Sequence, residues 1–254
     1  MNSNVNPVRK FGRGLLSSGV NMTDIMLIDN ISSVYKKMSH AAMRAGRNPE
    51  DIKLIAVTKT LGLERIKEAI DAGLRIFGEN RVQEAREKIQ NSRFKIQDSD
   101  IQWHLIGHLQ KNKVKAAVDL FDVIHSVDSA ELAEMIDKQA ELIGKKQKIF
   151  IQVKLSDEVS KHGIVKENLS RLIEHIRGMK NLSVLGLMTI PPFFDTPELS
   201  RPYFKELRIL RDEAETKGLK LSELSMGMTN DFEVAIEEGA TMVRIGTAIF
   251  GGRT

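Results

Sequence analysis

The chain has 254 residues, of which 41% are hydrophobic and none is cysteine. This composition suffices for one large domain or two small ones, and it excludes disulfides, thiolate metal sites and a cysteine nucleophile. No apolar run approaches the roughly 20 residues of a membrane span, so no membrane association is expected. The absence of cysteine also favours a reducing, cytoplasmic setting.

The formal net charge is +4 at pH 7, and Arg9, Lys10 and Arg13 supply most of it. The rest of the chain is close to neutral and contains no basic block, which argues against nucleic-acid binding. Residues 1–21 are rich in Gly, Ser and Asn and lack hydrophobic periodicity, so they are interpreted as a disordered leader or a remnant of expression. Residues 22–254 are expected to form a single folded domain.

Apolar residues at spacings of three and four predict a helix from Asp24 to about Ala41. Strand-like apolar runs then alternate with amphipathic helices, and Gly73 and the pair Asp128-Ser129 are candidate caps at two of the helix ends. The predicted strands are 53–58, 74–78, 101–107, 121–127, 149–154, 182–189, 219–226 and 241–246. The predicted helices lie near 63–72, 80–90, 110–119, 129–143, 166–178, 197–216 and 230–238.

Eight strands in continuous alternation with helices predict an α/β fold, a (β/α)8 TIM barrel with an extra N-terminal helix. A doubly wound open sheet is the alternative, but the first strand lacks the glycine-rich turn of that fold. In a barrel the functional site lies at the C-terminal ends of the strands. Lys59 directly follows the first strand, where it could be a surface charge, part of a buried ion pair or a nucleophile.

The last two predicted strands end in glycine-containing segments, at the place where barrels often bind phosphate. The first, SMGMTND (225–231), offers the Ser225 hydroxyl and Gly227 before a helix begins. The second, RIGTAIFGG (244–252), offers Gly246 and Thr247. Backbone N–H groups and hydroxyls at such positions suit a dianion, although each turn alone is equally compatible with an ordinary tight turn.

Arg244 lies between Val243 and Ile245 in the last predicted strand and therefore points away from both. It could form a structural ion pair or act as a permanent donor that faces a ligand. A phosphate cradle, a strand-end lysine and this arginine together suggest pyridoxal 5'-phosphate (PLP), with Lys59 as the Schiff-base lysine and Arg244 at the pyridine nitrogen. A guanidinium donor leaves the pyridine unprotonated, and the ring is then a weaker electron sink. This favours holding PLP over decarboxylation or transamination.

The chain resembles the pyridoxal phosphate homeostasis proteins, which are PLP-binding barrels related to the alanine racemase N-terminal domain. The resemblance covers nearly everything from Met22 onwards, in order. It is carried by IAVTKT, FGENRVQE, WHLIGHLQKNK, VSKHGI, LGLMTI, LSMGMTNDFEVAI and TMVRIGTAIFG.

This resemblance implies a monomeric, alanine racemase N-terminal-domain-like barrel that takes part in PLP (vitamin B6) homeostasis and delivery. It implies amino acids and apo-PLP enzymes as transient partners. It also implies a set of cofactor contacts, with Lys59 bonded to PLP, Asn80 beside the ring and Arg244 at the pyridine nitrogen. The phosphate contacts that it implies are Ser225, Met226, Gly227, Gly246 and Thr247.

A PLP-dependent amino-acid racemase is the alternative function, and it needs a base on each face of the substrate α-carbon. Lys59 could serve one face. In alanine racemases the other base is a tyrosine from a partner subunit, whereas Tyr35 and Tyr203 lie on predicted helices and the sequence ends soon after Gly246. A Schiff-base aldolase acting on a sugar phosphate is a third option, but it would not require Arg244.

No metal site is predicted. His104 and His108 are four residues apart around a strand end, and that spacing on a strand separates two side chains by roughly 13 Å. Both are interpreted as barrel-lining or hydrogen-bonded histidines, and His125 is expected to line the cavity. Lys161 and His162 lie in a polar loop and are interpreted as solvated charges, with a contact to a mobile lid as the alternative.

Overall fold

The computed structural model describes residues 22–90, 100–158, 161–216, 218 and 220–252; the predicted leader lies outside these ranges. The strands are β1 Lys53–Val57, β2 Ile76–Glu79, β3 Gln102–Leu105, β4 Val123–Val127, β5 Gln147–Lys154, β6 Ile164–Val165, β7 Leu182–Met188, β8 Glu223–Met228 and β9 Met242–Ile245. The helices are α1 Met22–Arg44, α2 Leu63–Asp71, α3 Val82–Gln90, α4 Val114–Leu120, α5 Ala130–Leu142, α6 Lys166–Ile176, α7 Arg201–Thr216, α8 Phe232–Glu237 and α9 Thr247–Phe250.

Within the described ranges, eight parallel strands close into a barrel in the order β1-β2-β3-β4-β5-β7-β8-β9. The ring is closed because β9 pairs with β1, which places Val243 opposite Leu54, and because β4 pairs with β5. The predicted (β/α)8 barrel is therefore confirmed, and the open sheet is excluded. The two-residue strand β6 was not predicted; it adds to the end of β5 outside the ring, with Ile164 opposite Val153.

The N-terminal helix α1 packs against α8 and α9 on the outside of the barrel. Its buried residues recur at helical spacing and include Leu27, Ile31, Val34 and Met38. Asn30 Nδ2 donates to the Ile249 carbonyl at 3.0 Å, which joins this stripe to the last helix. None of the helices within the described ranges combines the length and apolar content needed to cross a membrane.

Strand β8 begins four residues later than predicted, at Glu223 instead of residue 219. The apolar character of Leu221 reflects core packing, since this residue is 1% exposed without belonging to the sheet. The start of the strand is set instead by its neighbour β7, in which Gly186 lies opposite Glu223. A Cβ at Gly186 would lie 1.7 Å from the Glu223 carbonyl oxygen, so only glycine permits this approach.

Of the predicted pair Asp128-Ser129, Ser129 is the N-cap of α5, and its side chain accepts a hydrogen bond from the Leu132 N–H at 3.4 Å. We expect Ser129→Ala to lower the free energy of unfolding by about 1 kcal/mol, because one N–H of the first turn loses its partner. Urea denaturation measures this change. Ser32→Ala, at an exposed position within α1, is the matched control; an equal loss in both variants would contradict the capping role.

Candidate functional site

A cavity of about 580 Å³ opens at the C-terminal ends of the barrel strands. This volume lies within the range of about 300–1,000 Å³ that is usual for small-molecule sites. The cavity brings together groups that follow the first, second and last strands. The predicted site residues that line it are Lys59, Asn80, Arg244, Gly246 and Thr247.

The other three predicted contacts, Ser225, Met226 and Gly227, lie inside β8 and are buried there, and none of them lines the cavity. Gly227 has a φ of +91°, and a Cβ there would lie 2.5 Å from the Ala235 Cβ. The close packing of α8 on β8 by itself therefore requires glycine here. The cavity is lined instead by the next residues of the same segment, 228–231.

Arg244 is 3% exposed, and its guanidinium donates to Ser225 Oγ at 2.6 Å and to the Thr189 carbonyl at 2.8 Å. Burial lowers the pKa of Arg244 to about 10, so the side chain stays protonated at neutral pH. Neither acceptor carries a charge, and among the described residues no carboxylate forms an ion pair with this arginine. A buried cation of this kind suits an electron-rich ligand in the cavity.

A chain of hydrogen bonds leads from Arg244 through the barrel interior. Ser225 Oγ lies 3.0 Å from His125 Nδ1, His125 Nε2 lies 3.0 Å from His104 Nδ1, and His104 Nε2 lies 3.4 Å from Gln102 Oε1. Because a guanidinium only donates, the Ser225 hydroxyl can donate onwards to His125, and each neutral imidazole then donates to the next acceptor. This chain fixes the orientation of Arg244. The structure places His125 beneath the cavity rather than on its surface, so that expectation was wrong.

Both histidines are neutral in the fold. Burial lowers the pKa of His104 to about 3, and burial also holds the pKa of His125 well below 6.5. Stability from such depressed pKa values is fully present above the unfolded value and is lost as the pH falls towards the folded value.

We therefore expect the free energy of unfolding to decrease by about 1.4 kcal/mol per histidine between about pH 7.5 and about pH 5.5. Urea denaturation at the two pH values measures this loss. His104→Gln should remove about half of the histidine contribution, because the proton uptake of one imidazole on unfolding is gone. A pH dependence that is unchanged in His104→Gln would contradict the assignment of a neutral, buried imidazole.

Comparison with known proteins identifies the family of this chain. The chain matches the family model for the N-terminal domain of alanine racemase over residues 30–254. It is 46% identical over 226 residues to the pyridoxal phosphate homeostasis protein of Aquifex aeolicus, covering 89% of this chain and 97% of that protein. The identity to the Escherichia coli (strain K12) protein of the same name is 41% over 230 residues, covering 88% and 95%.

The chain belongs to the pyridoxal phosphate homeostasis protein family.

Solved structures agree with this membership. PipY of Synechococcus elongatus, whose structure contains bound PLP, superposes on this family member with a TM-score of 0.78 at 37% identity, covering 89% of this chain and all of PipY (100%). The alanine racemase of Clostridium difficile superposes with a TM-score of 0.68 at 18% identity and is covered over 57% of its length. That second likeness concerns the barrel fold alone.

In this homeostasis-family barrel, the loop that carries Lys59 is held on both sides by α3. Lys88 Nζ donates to the Thr58 carbonyl at 2.6 Å, and the Thr60 N–H donates to a Glu84 carboxylate oxygen. Thr60 has a φ of +66°, a conformation that costs a β-branched residue energy and persists only where contacts enforce it. The backbone around Lys59 is thus positioned before any ligand binds.

A buried ion pair supports the same loop. Lys88 Nζ lies 2.7 Å from Glu79 Oε1, which also accepts a hydrogen bond from the Thr58 hydroxyl at 2.6 Å. Burial raises the pKa of Glu79, and its second oxygen, Oε2, has no hydrogen-bond partner among the described residues. Sequence reasoning missed this pair. The signal was present, because Lys88 continues the buried stripe of α3 formed by Val82 and Ala85.

Proposed function

We propose that this chain binds PLP through Lys59 and acts in PLP homeostasis and delivery. The observation that carries the proposal is the convergence of the Lys59 amine, the buried Arg244 guanidinium and the Gly246–Thr247 turn in one cavity. PLP supplies an aldehyde that condenses with a lysine amine. The names of the family relatives and the PLP bound in PipY support the same cofactor.

The residues present fit such a ligand. Arg244 provides a donor that pairs with no carboxylate in the described part of the chain, and the hydrogen bonds through Ser225 and His125 keep it aimed at the cavity. Gly246 and Val57 line one wall of the cavity side by side, and a Cβ at Gly246 would lie 3.4 Å from both the Cβ and the carbonyl oxygen of Val57. Thr247 is exposed and offers its hydroxyl beside that wall. Asn80 is proposed as a contact at the ring.

We favour a holding and delivering role over racemisation, because neither tyrosine is placed to act as a second base. Tyr35 packs against the core, where burial raises its pKa to about 12, and Tyr203 stacks on Phe194 at 5.9 Å between ring centroids. Neither residue lines the cavity. Recipient apo-enzymes, amino-acid ligands, a monomeric state, a cytoplasmic location and a single PLP-binding domain over residues 22–254 remain predictions.

The PLP linkage is tested by borohydride reduction of the PLP-treated protein, followed by proteolysis and mass spectrometry. We expect the pyridoxyl mass on the peptide that contains Lys59. The cavity contains a second amine, Lys161, and β5 ends in Lys154, so both positions provide internal controls. A reduced adduct on Lys161 or Lys154 in place of Lys59 would overturn the assignment.

The choice between carrier and racemase is tested with L-alanine and other amino acids in deuterated water. We expect at most slow incorporation of deuterium at the α-carbon, because a lysine alone can exchange the proton on one face without inverting the centre. Rapid incorporation accompanied by inversion would contradict the carrier role. Chiral chromatography with mass spectrometry measures both quantities on the same samples.

A further inference from the structure

Three potential metal ligands meet near the C-terminal ends of β3, β4 and β5. His108 follows β3, Asp128 follows β4, and His162 lies just before β6. One ligand atom from each residue lies within 4.8 Å of the other two. Both histidines line the cavity, whereas Asp128 does not.

The partner of His108 in this cluster differs from the histidine considered in the sequence analysis. There His108 was compared with His104, but His104 is committed to the buried chain with His125. The structure brings His108 to His162 instead, with ring centroids 3.8 Å apart and an angle of 10° between the ring planes. His108 and His162 are 54 positions apart in sequence, and they meet because β5 returns the chain to the same end of the barrel.

Two imidazoles and one carboxylate form a donor set typical of Zn²⁺ and its neighbours among the divalent transition metals. Mg²⁺ and Ca²⁺ prefer sites made of oxygen donors alone. Two ligands that are each about 2.1 Å from a metal ion lie at most about 4.2 Å apart, so metal binding requires each pair of ligand atoms to come within that distance. The stacked rings must also tilt, because lone pairs in parallel ring planes do not converge on one point.

These adjustments are accessible, because His108 and His162 are exposed and not confined by core packing. Asp128 is half-buried and immediately precedes Ser129, the N-cap of α5, which fixes its backbone. The positive charge nearest in sequence, which would repel a metal ion, is that of Lys161. Its amine is directed to the Pro191 carbonyl at 3.4 Å and to Glu158 at 3.8 Å. The cation of Lys161 is thus partly engaged elsewhere.

We propose that His108, Asp128 and His162 bind one divalent transition-metal ion, such as Zn²⁺, at the rim of the cavity. The ion would link the segments after β3 and β4 to the segment before β6, and so stiffen one wall of the cavity. Three protein ligands leave a coordination position for water or a small anion. The site does not depend on PLP, since none of the three residues is assigned to the cofactor.

The test measures Zn²⁺ binding to the full chain, produced without a polyhistidine tag. Free PLP is left out, because its phosphate and aldehyde oxygens would compete for the metal. Equilibrium dialysis with elemental analysis gives stoichiometry and affinity. We expect about one tightly bound Zn²⁺ per chain. His162→Ala and Asp128→Asn should each weaken binding at least about tenfold, since even the loss of outer-shell partners costs about that much.

The matched control is His40→Ala, which removes an exposed histidine on α1, outside the cluster, and should bind Zn²⁺ like the parent chain. Circular dichroism checks that all variants are folded. As a second readout, Zn²⁺ should raise the melting temperature of the parent and of His40→Ala but not of His162→Ala. The proposal would be overturned if the parent chain bound Zn²⁺ no more tightly than the double variant His162→Ala, Asp128→Asn. Equal losses in His40→Ala and His162→Ala would also overturn it.

Discussion

Lys59→Ala is expected to abolish covalent attachment of PLP while the barrel stays folded. The Lys59 side chain is only half-buried at the cavity rim, so its truncation removes little core packing. The backbone of its loop is held by Lys88 and Glu84, which bind the Thr58 carbonyl and the Thr60 N–H. The borohydride-stable cofactor, measured by intact mass, should therefore fall to background. The free energy of unfolding, measured by urea denaturation, should change by less than about 0.5 kcal/mol.

Lys161→Ala is the matched control, because it removes the second amine of the same cavity. This variant should retain the covalent cofactor. If Lys59→Ala keeps a full equivalent of reduced cofactor and Lys161→Ala loses it, the Schiff-base lysine is Lys161 and not Lys59. If Lys59→Ala unfolds, the amine has a structural role that the half-buried position does not suggest.

Lys88→Met is expected to cost about 3–5 kcal/mol of stability, because it leaves the buried Glu79 carboxylate without its cation. Lys88 is 7% exposed and Glu79 is 0% exposed, so water cannot replace the lost contact. Lys67→Met, which removes an exposed lysine paired with Asp71 on α2, is the matched control and should change stability little. Urea denaturation compares the two variants.

Two further measurements separate the ion pair from simple packing. Burial already raises the pKa of Glu79, and the loss of Lys88 should raise it further, so Lys88→Met should regain stability as the pH falls and the carboxyl becomes protonated. Adding Glu79→Gln to Lys88→Met should restore part of the loss at neutral pH. Equal costs for Lys88→Met and Lys67→Met would show that the buried charge is compensated in another way.

Lys88→Met should also weaken PLP attachment, since the amine of Lys88 binds the carbonyl of Thr58, the residue before Lys59. This effect should appear as less reduced cofactor at limiting PLP in protein that remains folded. It connects the stability of the loop with the function of the site.

The barrel was predictable from sequence, because buried parallel strands appear as continuous apolar runs separated by amphipathic helices. The same regularity placed Lys59, Asn80 and Arg244 at one end of the barrel. The start of β8 was not predictable, since the pairing of Glu223 with Gly186 depends on the neighbouring strand and not on local apolar content. The strand also ends two residues later than predicted, at Met228, which moved Gly227 from an expected turn into the sheet.

The buried polar groups could not be predicted for a different reason. His125 and Ser225 are 100 residues apart in sequence and meet only because their strands face each other across the barrel interior. Lys88 was more accessible to prediction, because a lysine on the apolar stripe of α3 requires a buried acidic partner. The identity of that partner, Glu79, still depended on how closely α3 packs against β2.

The central claim, that this chain delivers PLP, is tested most directly by transfer to the apo form of a PLP-dependent enzyme. PLP-loaded protein and an equal concentration of free PLP are each mixed with the apo-enzyme, with and without an amine reagent that traps free PLP. We predict that activity returns from the loaded protein even when the trap is present, and faster than from free PLP. Recovery that the trap abolishes, at the rate of spontaneous PLP release, would contradict delivery and leave only storage.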